Sequence, residues 1–115
     1  VVGVGQVELI DDLCKPEGQQ ALRDLLGQSK ANRLLIGACL PYVYRKKLRT
    51  IARAAGFNPS LVEIFDLVGG ARKSQNGADW SKKAVEEIRA AVSKLRHADP
   101  LHVARIPIEQ SALVV

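Results

Sequence analysis

The most constraining feature of the chain is the run Arg33-Leu34-Leu35-Ile36-Gly37-Ala38-Cys39-Leu40-Pro41. Its apolar residues do not alternate with polar ones, so a strand formed over Arg33 to Ala38 has apolar side chains on both faces. Such a strand must be covered on both faces, and helices packed above and below a parallel sheet do this. The run ends in a cysteine and a proline, and a basic helix follows, predicted over about Tyr42 to Ala55 with Tyr44, Leu48, Ile51 and Ala55 inward. Gly56 marks its end.

The rest of the chain can be placed around that strand. Gln6-Val7-Glu8-Leu9-Ile10 alternates polar and apolar, which predicts a first strand ending near Asp11. Pro16 suits the first position of a helix and Glu17 its first turn. Ala21, Leu22, Leu25 and Leu26 then give an apolar stripe for a helix over Pro16 to Leu26. Beyond the turn Asn58-Pro59-Ser60, Leu61 to Phe65 reads as a third strand. Asp66 to Gly77 loses periodicity and reads as a long, mobile loop. A last helix is expected from Asp79 to His97, with Val85, Ile88, Val92 and Leu95 inward, broken by Pro100. The order β-α-β-α-β-loop-α predicts an α/β fold: a small three-layer domain with a short, mainly parallel sheet flanked by helices.

Composition narrows the function classes. A length of 115 residues supports one domain with a core of its own. No apolar run approaches the roughly 20 residues of a membrane span, so direct membrane insertion is not expected. The formal net charge of +5 is compatible with an acidic partner. The five aromatic residues do not form a base-stacking pattern, and no nucleic-acid partner is expected. Two cysteines are too few for a disulfide scaffold, which favours a reducing cytoplasmic location. The absence of methionine, even at position 1, suggests a piece of something longer.

In a parallel sheet, functional groups collect at the carboxyl ends of the strands. The predicted strand ends deliver Asp11, Asp12 and Cys14, then Cys39, then Asp66 and the Gly69-Gly70 loop. Cys14 and Cys39 each precede a predicted helix, where backbone N–H groups and the helix dipole favour a thiolate. Three readings stay open: packed structural thiols, a reversible dithiol–disulfide pair, or two ligands of a larger metal site. Two cysteines alone do not complete a zinc or iron–sulfur site. His97 and His102 read as solvent-exposed residues about a helix end. Gly3-Val4-Gly5 lacks the strand and third glycine of a dinucleotide fingerprint. Gly69 to Ser74 lacks P-loop spacing, and Arg72 and Lys73 read as solvated loop residues. No Ser-His-Asp set or pair of spaced acids suggests catalysis, so no catalytic residue is assigned.

Several short motifs carry a family resemblance. Ala38-Cys39-Leu40-Pro41, a basic helix ending at Gly56, Asn58-Pro59 and Leu61-Val62-Glu63 resemble the N-terminal region of the heterodisulfide reductase A subunit. That region reads Ala-Cys-Ser-Pro, a basic helix, Gly-Leu-Asn-Pro and a strand ending Asn-Ile-Arg-Glu. Leu13-Cys14-Lys15-Pro16-Glu17-Gly18-Gln19 is similar to the family's Met-Cys-Ser-x-Pro-Gly-Gln. Ala84 to Ala91 resembles its long helix ahead of the flavin domain. Ile106-Pro107-Ile108 and Ser111 to Val115 resemble the lead-in to the first strand of an FAD-binding unit. The family comprises iron–sulfur flavoproteins and includes flavoprotein subunits of the quinone-interacting oxidoreductase complex.

The resemblance implies a domain over 1–105, and a linker with the first strand of an FAD-binding domain over 106–115. It implies a role in electron transfer or subunit docking within an oxidoreductase, and no complete active site in this chain. The partners implied are other subunits of a redox complex and the adjacent FAD domain. The cofactors implied are a 4Fe-4S cluster in the full-length protein, with Cys14 and Cys39 as cofactor-binding and metal-ligating residues, and FAD in the adjacent domain. The sequence departs from the family at Ala71, where a further cysteine is expected, and at Tyr44-Arg45, where a His-Glu pair is expected. A cofactor-free interaction module and a thiol-redox domain using Cys14 and Cys39 are the rival expectations.

Overall fold

The computed structural model describes residues 3–39, 41–69, 77–102 and 104–114, apart from the side chains of residues 77 and 78. The elements are α1 (Pro16–Gln28), β1 (Leu34–Ala38), α2 (Pro41–Ala54), a 3-10 turn (Pro59–Leu61), β2 (Val62–Asp66) and α3 (Gly77–His97). β1 and β2 pair in parallel, in register from Leu34 opposite Val62 to Ala38 opposite Asp66. The expected α/β class with a parallel sheet is therefore correct.

Side-chain alternation along the two strands sorts the layers. Ile36, Ala38, Val62 and Ile64 join Leu22 and Leu26 of α1 and Leu48, Ile51 and Ala52 of α2 in one buried cluster. Glu63 points to the opposite face, where its carboxylate pairs with Lys94 of α3 at 3.2 Å. α1 and α2 thus cover one face and α3 the other, which accounts for the uninterrupted apolar run at Leu34 to Ala38.

One element expected from the sequence is absent. Residues 6–10 form no strand; Val7 is 78% exposed and Leu9 96% exposed. The polar–apolar alternation is present, but among the described residues it lies along neither open edge of the two-stranded sheet. Instead, Ile10 and Leu13 pack against the core. Ile10 lies outside the period-2 pattern set by Val7 and Leu9, and Leu13 belongs to the turn that follows.

The inward faces also differ in part. On α2, Leu48 is fully buried and Ile51 and Ala52 are buried, while Ala55 is exposed. On α3, Ala84 and Leu95 are buried, Ile88 and Val92 are half-buried, and Val85 is 44% exposed. The stripe runs one residue earlier at its start than expected, through Ala84. A small residue there lets the helix approach the two-stranded sheet closely.

α2 ends in a paired reverse turn. Gly56, at φ +96°, donates to the Arg53 carbonyl at 3.0 Å, and Phe57 donates to the Ala52 carbonyl at 3.0 Å. This is a Schellman termination, and buried Phe57 supplies its apolar contact. The Asn58 side chain then caps the 3-10 turn by accepting from the Ser60 N–H at 3.0 Å.

α3 is fastened at its carboxyl end. Arg33, just ahead of β1, donates from Nε to the Leu95 carbonyl at 2.6 Å and from its guanidinium to the Ala98 carbonyl at 3.0 Å. A cation on those terminal carbonyls also complements the negative end of the helix dipole. The chain leaving α3 is held by Asn58, whose amide donates to the Leu101 carbonyl at 2.9 Å. Leu101 N–H in turn donates to Ser60 Oγ at 3.0 Å. The described residues beyond Leu101 have no regular secondary structure and are exposed through Val114.

Candidate functional site

The residues singled out in the sequence are positioned by different local structures: Cys39 and Asp66 at the carboxyl ends of β1 and β2, Asp11, Asp12 and Cys14 in a turn ahead of α1. Cys39 follows β1 directly, in a bend before α2, and is exposed. Its neighbourhood is held by Leu67, whose N–H donates to the Ala38 carbonyl at 2.9 Å. This bond continues the ladder one step past the strands. Asp66 does not face Cys39 as a free carboxylate. Its Oδ1 accepts from the N–H groups of Val68 and Gly69 at 3.1 and 2.8 Å, which turns the chain away from β2.

Cys14 is placed by a turn, not by a strand end. Asp12 adopts φ +50°, a left-handed conformation that an Asp tolerates better than most residues. Lys15 N–H closes the turn onto the Asp12 carbonyl at 2.8 Å. The Lys15 ammonium meets the Asp12 carboxylate at 2.9 Å. That hydrogen bond first, and the attraction between the two charges second, raise the Lys15 pKa above its ordinary value.

Gly18 and Gln19 fix this turn against α1. A Cβ at Gly18 would overlap the Asp12 carbonyl and lie 2.7 Å from the Asp11 oxygen, so only glycine lets the turn lie on the helix. Gln19 is 6% exposed and donates to the Cys14 carbonyl at 3.4 Å. The Pro-Glu-Gly-Gln stretch is therefore a seat for the Cys14 loop. Its sequence signal was a buried-type glycine and a glutamine in the first helical turn. A shallow open cleft lies between Leu9–Asp12 and that turn, bordered by Lys15, Glu17 and Gly18.

Cys14 is half-buried and Cys39 exposed; both are free thiols, joined by neither a disulfide nor a hydrogen bond. Among the described residues, no group of three or more His, Cys, Asp or Glu could hold a metal ion. A 4Fe-4S cluster takes four ligands. The described residues do not by themselves fit a complete cluster. Ala71, matched to the family's further cysteine, lies outside the described residues, as does most of the loop expected over Asp66 to Gly77. His97 is exposed on α3, its Nδ1 2.8 Å from the Ser93 carbonyl, and His102 is exposed in the tail. Among the described residues, no helix is long and apolar enough to cross a membrane.

The two cysteine turns lie in a stretch that curated proteins share. The chain is 28% identical over 109 residues to a heterodisulfide reductase A-subunit-like protein of Archaeoglobus profundus, covering 90% of this chain and 15% of that protein. It is 22% identical over 104 residues to the first iron-sulfur A subunit of the CoB–CoM heterodisulfide reductase of Methanopyrus kandleri, covering 89% of this chain and 16% of that protein. The likeness is to the heterodisulfide reductase A subunit. A third relative is the A subunit of the H(2):CoB-CoM heterodisulfide,ferredoxin reductase of Methanothermobacter thermautotrophicus. It is 26% identical over 108 residues, with 89% of this chain and 16% of that protein aligned.

Nearly all of this chain thus aligns with these A subunits, and it corresponds to one small domain of them. The chain spans about 13–16% of the length of the curated relatives it matches. No family model matches the chain, and no solved structure matches it.

Proposed function

We propose that this chain works as a domain of a heterodisulfide-reductase-A-like redox flavoprotein, serving electron transfer or subunit docking and turning over no substrate alone. The observation that carries this reading is the alignment of about 90% of the chain with heterodisulfide reductase A subunits. Cys14 and Cys39 sit in turns immediately ahead of α1 and α2, where helix N-termini favour a thiolate, and this supports the reading. In this proposal they are two ligands of a 4Fe-4S cluster completed by residues outside the described set. Residues 1–105 form the docking domain. Residues 106–115 lead into an adjacent FAD-binding domain, and the other partners are further subunits of a redox complex. The setting is the reducing cytoplasm, which keeps the two cysteines from closing into a disulfide.

The test uses the full-length protein that contains this chain, purified anaerobically. Iron, sulfide and flavin are measured for the wild type and for the Cys14→Ser/Cys39→Ser variant. The expected result is flavin in both and less iron and sulfide in the variant, with loss of charge-transfer absorption. Unchanged iron in the variant removes the two cysteines from the ligand set. Copurification with no flavin- or iron–sulfur-containing subunit overturns the redox-complex reading.

A further inference from the structure

The charge of this chain is concentrated in one place. α2 (Pro41–Ala54) carries Arg45, Lys46, Lys47, Arg49 and Arg53 and no acidic residue. Removing those five from the 17 Lys and Arg leaves 12 cations against 12 Asp and Glu. The whole formal excess of +5 therefore sits on this helix. α3 provides the contrast: its cations alternate with Asp79, Glu86 and Glu87, and Lys94 reaches Glu63.

The basic residues of α2 are also unpaired and turned outward. Leu48, Ile51 and Ala52 take the inner face, leaving Arg45, Lys46, Lys47 and Arg53 exposed. Among the described residues none of these four has an ion-pair or hydrogen-bond partner for its side chain; Arg49 alone donates, to the Pro59 carbonyl at 3.4 Å. Helical spacing puts Tyr42, Lys46, Arg49 and Arg53 in one stripe. Arg45 with Arg49 and Arg49 with Arg53 are like charges at i, i+4, a destabilising arrangement. The cations also begin close to the positive end of the helix dipole, with no acid in the first turn. Fold stability would be better served by a glutamate at Arg45 or Lys46, near the positive end of the helix, whereas Arg53 in the last turn complements the dipole.

At the head of the stripe, Tyr42 is 71% exposed and Val43 57% exposed, next to exposed Cys39. An exposed tyrosine with arginines further along the same helix is a composition favoured at protein interfaces.

We infer that the outer face of α2, from Tyr42 to Arg53, docks an acidic surface of another protein, with Tyr42 as its apolar anchor. This deepens the redox-complex reading and rests on it, because it assigns that complex's contact to one helix. The occupant is a carboxylate-rich protein surface, since only opposite charge offsets the unpaired field of α2. The contact places the partner beside Cys39.

The test uses the tagged full-length protein, captured with its complex at low ionic strength and treated with a carbodiimide. This reagent joins a lysine amine directly to a carboxylate in contact with it. The expected result is a link from Lys46 or Lys47 to Asp or Glu of another polypeptide. It should be lost with the partner at raised salt, and retention should fall at least about tenfold in the Arg45→Glu/Lys46→Glu/Lys47→Glu variant. The Lys82→Glu/Lys83→Glu variant on α3 should retain the partner.

Equal retention by the α2 variant, with the same subunits bound, overturns the docking surface and leaves the redox-complex reading standing. Links from α2 to a partner without flavin or iron–sulfur content keep the surface and overturn the redox-complex reading. Capture of duplex DNA or of anionic vesicles by the wild type at physiological salt, lost in the α2 variant, overturns the protein-partner assignment.

Discussion

Gly18 is the residue on which the Cys14 turn depends most directly. Its α-hydrogens face the Asp11 and Asp12 carbonyls at distances no side chain can occupy. Gly18→Ala should therefore push the turn off α1 and cost about 1–3 kcal/mol, read as a lower denaturation midpoint at unchanged slope. Asp12 offers the complementary test, because its φ of +50° is strained for a branched side chain. Asp12→Val should cost about 1–2 kcal/mol, while Asp12→Gly should cost less, since it relieves the conformation as it removes the ion pair.

The Lys15–Asp12 pair sets a pH dependence of known sign. The folded-state pKa of Lys15 is raised, so its contribution to stability is fully present below the ordinary lysine value and is lost as pH rises through the folded value. Comparing the thermal midpoints of wild type and Lys15→Gln should show a small difference at neutral pH that vanishes in strong alkali and in high salt. A difference that grows with alkalinity would contradict this.

Among elements, the best-determined joint is that between β1 and α3. Arg33 presents two N–H groups in a fixed fork to the Leu95 and Ala98 carbonyls. Lysine offers a point charge without that fork. Arg33→Ala should cost about 2 kcal/mol, with Arg33→Lys restoring only part of it. Hydrogen exchange should quicken first in the last turn of α3.

Element by element, the sequence was readable where local and buried patterns agree. β1, β2 and the helices α1, α2 and α3 lie within a few residues of their expected positions, because apolar stripes, Pro16, Gly56 and Pro59 each fix a local conformation. The strand expected over 6–10 fails for a nonlocal reason. Alternation makes a segment competent to pair but does not lay it on an edge, and here Ile10 and Leu13 pack against the core while neither open sheet edge takes the segment. The Cys14 seat was half visible, as Gly18-Gln19 in a first helical turn, and its contact to a carbonyl five residues upstream was not.

At the scale of the molecule, the Cα radius of gyration is 16.6 Å. A compact chain of this length would have about 13 Å. Exposed segments without regular secondary structure lie at both ends of the described chain, ahead of Ile10 and beyond Leu101. Arg105 lies in the later of these, beyond the Asn58 and Ser60 ties to Leu101. Brief trypsin digestion should cut after Arg105 before it cuts within α2 or α3, leaving the circular dichroism of the helices unchanged. Loss of helical signal with that cut would mean the boundary at 105 divides a cooperative unit.

The order of residues was enough to specify the covered strand, the helices about it, the family likeness and the location of all the excess charge on α2. These follow from composition and short-range spacing, which need no knowledge of what touches what. Folded contacts settled the rest: that the sheet has two strands among the described residues, that Gly18 seats the Cys14 turn, and that Arg33 fastens α3. Each of these is a contact between segments distant in sequence or turned against a neighbouring helix, and its energy exists only once the two surfaces meet.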